Sequence, residues 1–399
     1  MAAQGHHALI FGASGISGWS LMKQALSYPA ASTFTRITGL CNRPVDKKTL
    51  FLPDDPRLNI VSGIDLTAPV DEVVSNLKEN VPDVENVDVV FFSAYIQTDD
   101  YDSLREINTN LLRTAITAMS TASKSLKTVI LQTGGKAYGV EWPDKIPINP
   151  PLREDFPRVP EPYASKVFYY TQYDVLKELS SQPGCTWTFS EIRPDGIVGF
   201  APGKNAMNMA QGIALYLSLY REVHGRGAKV PFPGESHGYR ARHMDTSQDM
   251  LSRLEIYVAV NRDREEIGNG SVFNAADGVV RSWAEKWPGV CKYFGLEGVE
   301  AVQGVEKESM EGFVRGHMKE WEALAERFGL RRDTVEWQNW AHTKFMLVQF
   351  DFDRFYSMEK VKMAGFEETV ETVEGYKVAF DRMVEAKVIP RFEGESCKF

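Results

Sequence analysis

Along the first 200 residues, short unbroken apolar runs alternate with longer stretches in which apolar residues recur every three or four positions. The runs predict strands over 7–11, 37–41, 58–61, 87–94, 128–132 and 186–192. The periodic stretches predict helices near 18–27, 70–79, 103–122 and 164–181. Strands alternating with helices predict an α/β fold with a parallel, doubly wound sheet. Runs that are apolar at successive positions fit strands covered by helices on both faces.

After about residue 200 the texture changes. AMNMAQGIALYLSLYREVHG, over 206–225, predicts a long helix, and VPFPG a turn after it. Further helices are predicted over 247–260, 281–295, 308–328 and 369–386, with a strand-like piece at 271–277. The expected division is a sheet domain over residues 1–200 and a smaller, mostly helical lobe over 201–399, with some segments returning to the sheet. Ligands of open α/β sheets bind outside the carboxyl ends of the strands, so the lobe is expected to close there and set specificity.

Bulk properties narrow the function. The 399 residues are 43% hydrophobic and 25% charged, ordinary for a chain with a real core. A net charge of −9 argues against a nucleic-acid surface, which calls for a basic domain. No apolar run reaches the ~18 residues needed to span a bilayer, so no membrane partner is expected. HALIFGASG reads as a first strand and turn rather than a signal peptide. Cys41, Cys185, Cys291 and Cys397 show no CxxC spacing, and free thiols in a reducing cytoplasm are the simplest expectation.

The strongest motif is GASGISG, with Gly12, Gly15 and Gly18 between the first strand and the first helix. One glycine permits the sharp turn, one lets backbone approach a pyrophosphate, and one lets helix pack on strand. The helix N-terminus then offers N–H groups and partial positive charge to phosphates. This is the signature of a Rossmann-type dinucleotide site. At the end of the second strand, GLCNRP places Arg43 with no acid beside it until Asp46. A guanidinium there suits a 2′-phosphate, which predicts NADPH/NADP rather than NADH. After the third strand, Asp65 and Leu66 stand where an adenine rests. The plain alternatives are a solvated loop arginine and an Asp65 that caps the helix near residue 70.

Reduction of a carbonyl or enone needs an oxyanion stabiliser opposite the hydride, and a tyrosine O–H near a lysine can supply it. Three pairings are available. Tyr163 and Lys166 are three apart, one short of a helical i, i+4 pair. Tyr173 and Lys177 have that spacing but lie some three turns into the helix, about 15 Å from its start, which reads as chance. In the third, Lys136 follows the fifth strand in LQTGGKAYG, and Tyr169 or Tyr170 of FYY faces it from the next helix.

Thr133-Gly134-Gly135-Lys136 and Phe168-Tyr169-Tyr170, with Asp174 following, resemble the progesterone 5β-reductase and iridoid synthase-like (PRISE) enzymes, an atypical branch of the extended short-chain dehydrogenases. The resemblance covers the first ~210 residues, extends more weakly to FPG and VFNAADG, and implies Lys136 and Tyr169 as the catalytic pair. It implies cofactor contacts at Gly12, Ser14, Gly15, Ile16, Gly18, Asn42, Arg43, Asp65, Leu66, Ala94, Gln132, Tyr169, Ile197, Asn205, Ala206 and Met207. The implied activity is NADPH-dependent 1,4-reduction of an α,β-unsaturated carbonyl, with Tyr169 holding the enolate and Lys136 lowering the tyrosine's pKa. Ala137-Tyr138 stands where plant members carry His-Tyr, Val167 replaces an Asn, Tyr173 replaces a Glu, and about four extra residues contain Tyr163. Ala94 and Tyr95 stand in place of a threonine and a tryptophan. The pocket is therefore expected to be rebuilt, with Tyr95, Tyr138 and Tyr163 as candidate substrate contacts.

Other readings stay open. The same pair serves direct 1,2-reduction, and the fold also suits a non-redox cyclase or an NADP-binding sensor. His237 and His243, six apart, read as loop histidines rather than metal ligands, so no metal is expected. Asp245, Asp249, Arg240 and Arg242 read as groups ordering the junction between the lobes. Met207, Met209 and Tyr216 read by default as core. The expected partner is a small apolar carbonyl compound, with a homodimer left open.

Overall fold

The computed structural model describes residues 5–300, 302 and 308–392. Six parallel strands come from the first half: β1 (His6–Phe11), β2 (Phe34–Cys41), β3 (Leu58–Ser62), β4 (Val89–Phe92), β5 (Thr128–Gln132) and β6 (Thr188–Pro194). A seventh, Ser271–Ala275, pairs in parallel with β6. The order across the sheet is β3-β2-β1-β4-β5-β6 and then Ser271–Ala275.

The apolar runs are explained by cover on both faces. Ala8 and Ile10 of β1 join one core with Ile37, Phe91, Ile130 and Ile192. Leu9 and Phe11 join the other with Leu40, Val90, Phe92 and Leu131. Successive side chains of a strand point to opposite faces, so both parities must be apolar. Helices α1 (Ile16–Ala25) and Gln248–Val260 pack on the first face. Helices α2 (Val70–Asn80), α3 (Tyr101–Ala122) and α4 (Phe168–Ser180) cover the second.

The second half of the chain is woven into the first. Beyond Ser271–Ala275 in the sheet, the helix Gln248–Val260 lies on α1, with the Ser20 hydroxyl donating to Gln248 O at 3.0 Å. Arg382 holds Asp249 through two bonds of 2.5 and 2.9 Å. The strand-like piece at 271–277 thus belongs to the main sheet. The long helix expected from residue 206 begins at Met209, as α5 (Met209–His224), because Asn208 caps it by accepting from Gln211 N at 3.1 Å. The helix expected over 308–328 is two, Met310–Gly316 and Met318–Phe328, broken where His317 leaves helical geometry (φ −118°, ψ 34°).

The helix expected from residue 164 also divides. A short turn, Ala164–Lys166, ends at Val167 in extended geometry (φ −95°, ψ 92°), and α4 starts at Phe168. Tyr163 and Lys166 therefore lie outside α4, and Tyr169 falls in its first turn. Among the described residues no helix is long and apolar enough to cross a membrane. Cys41, Cys185 and Cys291 carry free thiols, while Cys397 lies outside the described residues.

Candidate active site

The glycine loop is shaped by contacts only glycine permits. Gly12 has φ +86°, and a Cβ there would lie 2.8 Å from the backbone of Ser93 and Ala94. A Cβ on Gly18 would lie 2.3 Å from Gly12 O, so the third glycine seats α1 against the loop. Gly15 precedes α1 in extended geometry with no side-chain cap, and the first turn carries no acid. The N–H groups at Ile16 and beyond are thus left to a ligand, and an anion there is favoured by the helix dipole. Asn205 reaches this loop from the second half, its amide nitrogen 3.8 Å from where a Gly15 Cβ would stand. Exposed Ser14 sits beside the Cys41 thiol. This cradle fits a dinucleotide pyrophosphate.

Asn42 and Arg43 follow β2 in the open. Arg43 makes no ion pair among the described residues. Asp65 is not the cap of α2, which starts at Val70 behind Pro69. Its Oδ1 instead accepts from Thr67 N at 2.9 Å and Thr67 Oγ1 at 2.7 Å, which holds the carboxyl below its usual range. Leu66 beside it is buried. The buried Oε1 of Gln132, at the end of β5, has no hydrogen-bond partner among the described residues. Ile197 lies in a two-residue strand paired with Thr246. Asn205 Oδ1 accepts from exposed Met207 N at 3.0 Å, and Ala206 O accepts from Asn339 Nδ2 at 2.8 Å.

The three tyrosines of α4 are separated by their hydroxyls. Tyr170 donates to Ala137 O at 2.6 Å and accepts from Val159 N at 3.0 Å, tying the Lys136 turn to the helix. Tyr173 donates to Gly270 O at 2.9 Å, so its spacing to Lys177 is incidental. Tyr169 makes no hydrogen bond through its hydroxyl among the described residues. That oxygen lies against Gly134, 3.3 Å from where a Cβ would stand, at the carboxyl edge of β5. Burial pushes the Tyr169 phenol far up, and Tyr95, Glu141 and Glu191 push it further. It is therefore a neutral O–H donor near pH 7.

Lys136 corrects one expectation. Its ammonium does not bond the Tyr169 phenol here: Nζ pairs with Glu141 Oε1 at 2.9 Å. Gly139, in left-handed geometry (φ +76°), reverses the chain after the Gly135–Tyr138 turn and brings Glu141 back to the lysine. The other carboxylate oxygen of Glu141 is buried without a partner among the described residues. His342, on the helix Trp340–Lys344, joins the site from far along the chain; burial, then the Lys136 charge, lowers its pKa to about 4. It is a neutral imidazole at working pH. Neither Glu141 nor His342 was expected from the sequence.

The expected substrate contacts sort unequally. Tyr95 stacks on Phe168 at 5.8 Å, and Phe168 meets Tyr169 at 4.4 Å. Burial, with Glu141 nearby, raises the Tyr95 phenol to about 12. Tyr163 meets Trp142 at 5.1 Å, Trp142 meets Tyr101 at 5.8 Å, and Lys166 stands 5.5 Å from the centres of both tyrosine rings. Tyr138 does not join them. Its hydroxyl donates to Asn274 Oδ1 at 2.6 Å and its ring packs on Tyr356, so the side chain is buried in the core. His243 is also core: its Nε2 lies 2.6 Å from Lys286 Nζ, which pairs with Asp245.

Comparison with known proteins agrees with this fold. The PRISE-like Rossmann-fold domain matches over residues 8–390. The short chain dehydrogenase ausT of Aspergillus calidoustus is 37% identical over 96% of this chain and 94% of its own. The (S)-8-oxocitronellyl enol synthase ISY1 of Nepeta cataria is 26% identical over 82% of this chain and 79% of its own. The fold alone is shared with the Bordetella bronchiseptica enzyme WbmH, solved in complex with NAD+, at a TM-score of 0.57 and 17% identity over 95% of this chain and 99% of that one. The chain belongs to the PRISE-like Rossmann-fold family and is a short-chain dehydrogenase type of oxidoreductase.

Proposed function

We propose that this oxidoreductase is an NADPH-dependent reductase that adds hydride to the β-carbon of an α,β-unsaturated carbonyl compound. The observation that carries this reading is the uncommitted, neutral Tyr169 hydroxyl lying on the Gly134 backbone at the carboxyl edge of β5. NADPH, when bound, supplies the hydride. The loop of Gly12, Gly15 and Gly18 with the α1 N-terminus holds its phosphates. Tyr169 donates a hydrogen bond to the substrate oxygen, and that bond strengthens as the oxygen gains enolate charge. Lys136 fixes the same corner of the site through its turn, and solvent protonates the α-carbon. Tyr95, Phe168, Tyr163 and Trp142 belong to one aromatic, mostly apolar cluster, which suits a conjugated substrate. The name of the Nepeta relative, an enol synthase, supports an enolate outcome. The free thiols at Cys41, Cys185 and Cys291 suit a reducing cytoplasm.

The test is a panel of conjugated enones with cofactor deuterated at the transferred position. Deuterium should appear on the β-carbon of a saturated ketone. Deuterium on a carbinol carbon would replace this reading with 1,2-reduction, and no transfer at all would remove the reductase.

The preference for NADPH rests on Arg43. Replacing it with Ala removes a bidentate, charge-assisted contact, so the NADPH dissociation constant should rise roughly 10- to 100-fold while that for NADH changes little. Titration calorimetry with both cofactors checks this, and equal effects would exclude the 2′-phosphate role.

A further inference from the structure

Residues 199–208 form a strap between the short strand at Ile197 and the cap of α5. Its start is fixed on α1. Buried Gln248 donates through Nε2 to Ile16 O and to Phe200 O, each at 2.7 Å, and its Oε1 accepts from Phe200 N at 2.7 Å. Three carbonyls further along are held from one stretch of the second half. Arg331 Nη1 donates to Pro202 O at 2.7 Å, Asn339 Nδ2 to Ala206 O at 2.8 Å and Gln338 Nε2 to Asn208 O at 3.2 Å. Around Gly203 the strap is open, and a Cβ there would meet nothing within 4 Å. Of the three holds, the bond to Ala206 O is the one next to Asn205.

The Asn205 side chain has a defined sense. Its Oδ1 accepts from Met207 N at 3.0 Å, which turns Nδ2 the other way. That nitrogen lies 3.8 Å from where a Gly15 Cβ would stand, beside the start of α1. It makes no hydrogen bond among the described residues. A neutral amide donor is thus left next to the backbone N–H groups that α1 offers to an anion.

We infer that Asn339 is a positioning residue for the cofactor: by holding Ala206 O it fixes the strap, so that Asn205 Nδ2 adds a hydrogen bond to the pyrophosphate held at the α1 N-terminus. This rests on the dinucleotide reading of the glycine loop and not on the enone reduction. Asn339 has a second task, since its Oδ1 accepts from His342 N at 3.2 Å and caps the helix Trp340–Lys344. The two tasks use different atoms, so they can be separated. Serine and aspartate cap as well as asparagine does. Aspartate has no N–H to give Ala206 O, and a serine hydroxyl stops short of it. Ala206 is only half-buried, so water can take over its carbonyl at little cost to folding. What is lost is the order of the strap, and with it the placing of Asn205.

The experiment compares Asn339→Ser and Asn339→Asp with the wild type, as whole proteins. Thermal unfolding should change little, because the cap is kept. Hydrogen exchange of the 200–208 backbone in cofactor-free protein should quicken in both variants. Titration with NADP+ and NAD+ should show the dissociation constant of the bound dinucleotide rising roughly five- to tenfold, the loss of one hydrogen bond. Stopped-flow displacement should place most of that rise in faster dissociation. In an Asn205→Ala background Asn339→Ser should weaken binding little further, because it acts through the residue already removed. Wild-type affinity in both folded variants would overturn the inference. So would unchanged strap exchange, or losses that add in full to those of Asn205→Ala. A wild type that binds neither dinucleotide would remove the dinucleotide reading and this inference with it. Dinucleotide binding without enone reduction would leave it standing and remove the reductase alone.

Discussion

Tyr169→Phe lowers kcat for enone reduction by roughly 10²- to 10³-fold, the cost of removing one preorganised donor from a developing oxyanion. The dissociation constant for cofactor should stay within about twofold, because the glycine loop and Arg43 are untouched. The ring keeps its place: Phe168 meets it edge-on at 4.4 Å, and the lost hydroxyl makes no hydrogen bond among the described residues. Stability is therefore expected to change little, or to rise slightly, since a buried hydroxyl is removed. Tyr170→Phe is the contrasting variant. It loses the bonds to Ala137 O and from Val159 N, which costs about 1–3 kcal/mol of stability through two unsatisfied backbone groups. Steady-state kinetics, cofactor titration and thermal unfolding of the two variants separate chemistry from support. Unchanged turnover in Tyr169→Phe would end the assignment of Tyr169 as donor.

The contrast between these neighbours shows what could be read in the chain. FYY announces tyrosines near the sheet edge, but their roles depend on where α4 begins and on carbonyls far away in sequence. Val167 breaks the helix, which puts Tyr169 in the first turn, and Gly270, 97 residues on, takes Tyr173. The strands and the glycine loop were readable because their causes are local: both sheet faces are covered, and Gly12 and Gly18 admit no Cβ. Tyr138 was misread because the direction of its side chain is set by the Gly135–Tyr138 turn and by Asn274, neither of which leaves a periodic trace. Glu141 was missed because only the left-handed Gly139 brings it back to Lys136. His342 arrives from a helix that no spacing rule connects to the fifth strand. The seventh strand was legible as a strand, and a return of some segments to the sheet was expected, but which strand it pairs with was not, since pairing with β6 is a tertiary choice.

Gly18→Ala carries the second large effect, on binding rather than chemistry. The new Cβ would stand 2.3 Å from Gly12 O and 2.7 Å from Ala13 Cα. Both neighbours are backbone, so no rotamer change relieves the clash. Either α1 moves off β1 or the loop turns, and each displaces the N–H groups meant for the pyrophosphate. Overpacking of this kind costs about 1–3 kcal/mol. Distortion of the cradle should raise the cofactor dissociation constant by roughly 100-fold or more, a loss of about 3 kcal/mol of binding. Gly203→Ala provides the control. Its Cβ would meet nothing within 4 Å, and it lies in the stretch leading to Asn205, so folding and binding should hold. Cofactor titration by fluorescence, run beside thermal unfolding, checks both variants. Wild-type affinity in a folded Gly18→Ala protein would mean that phosphates are held elsewhere, and the dinucleotide site would have to be moved off this loop. Weakened binding confined to Gly18→Ala would tie the cofactor to the α1 N-terminus, and hence bring its reactive end toward the carboxyl edge of the sheet, where Tyr169 waits on Gly134.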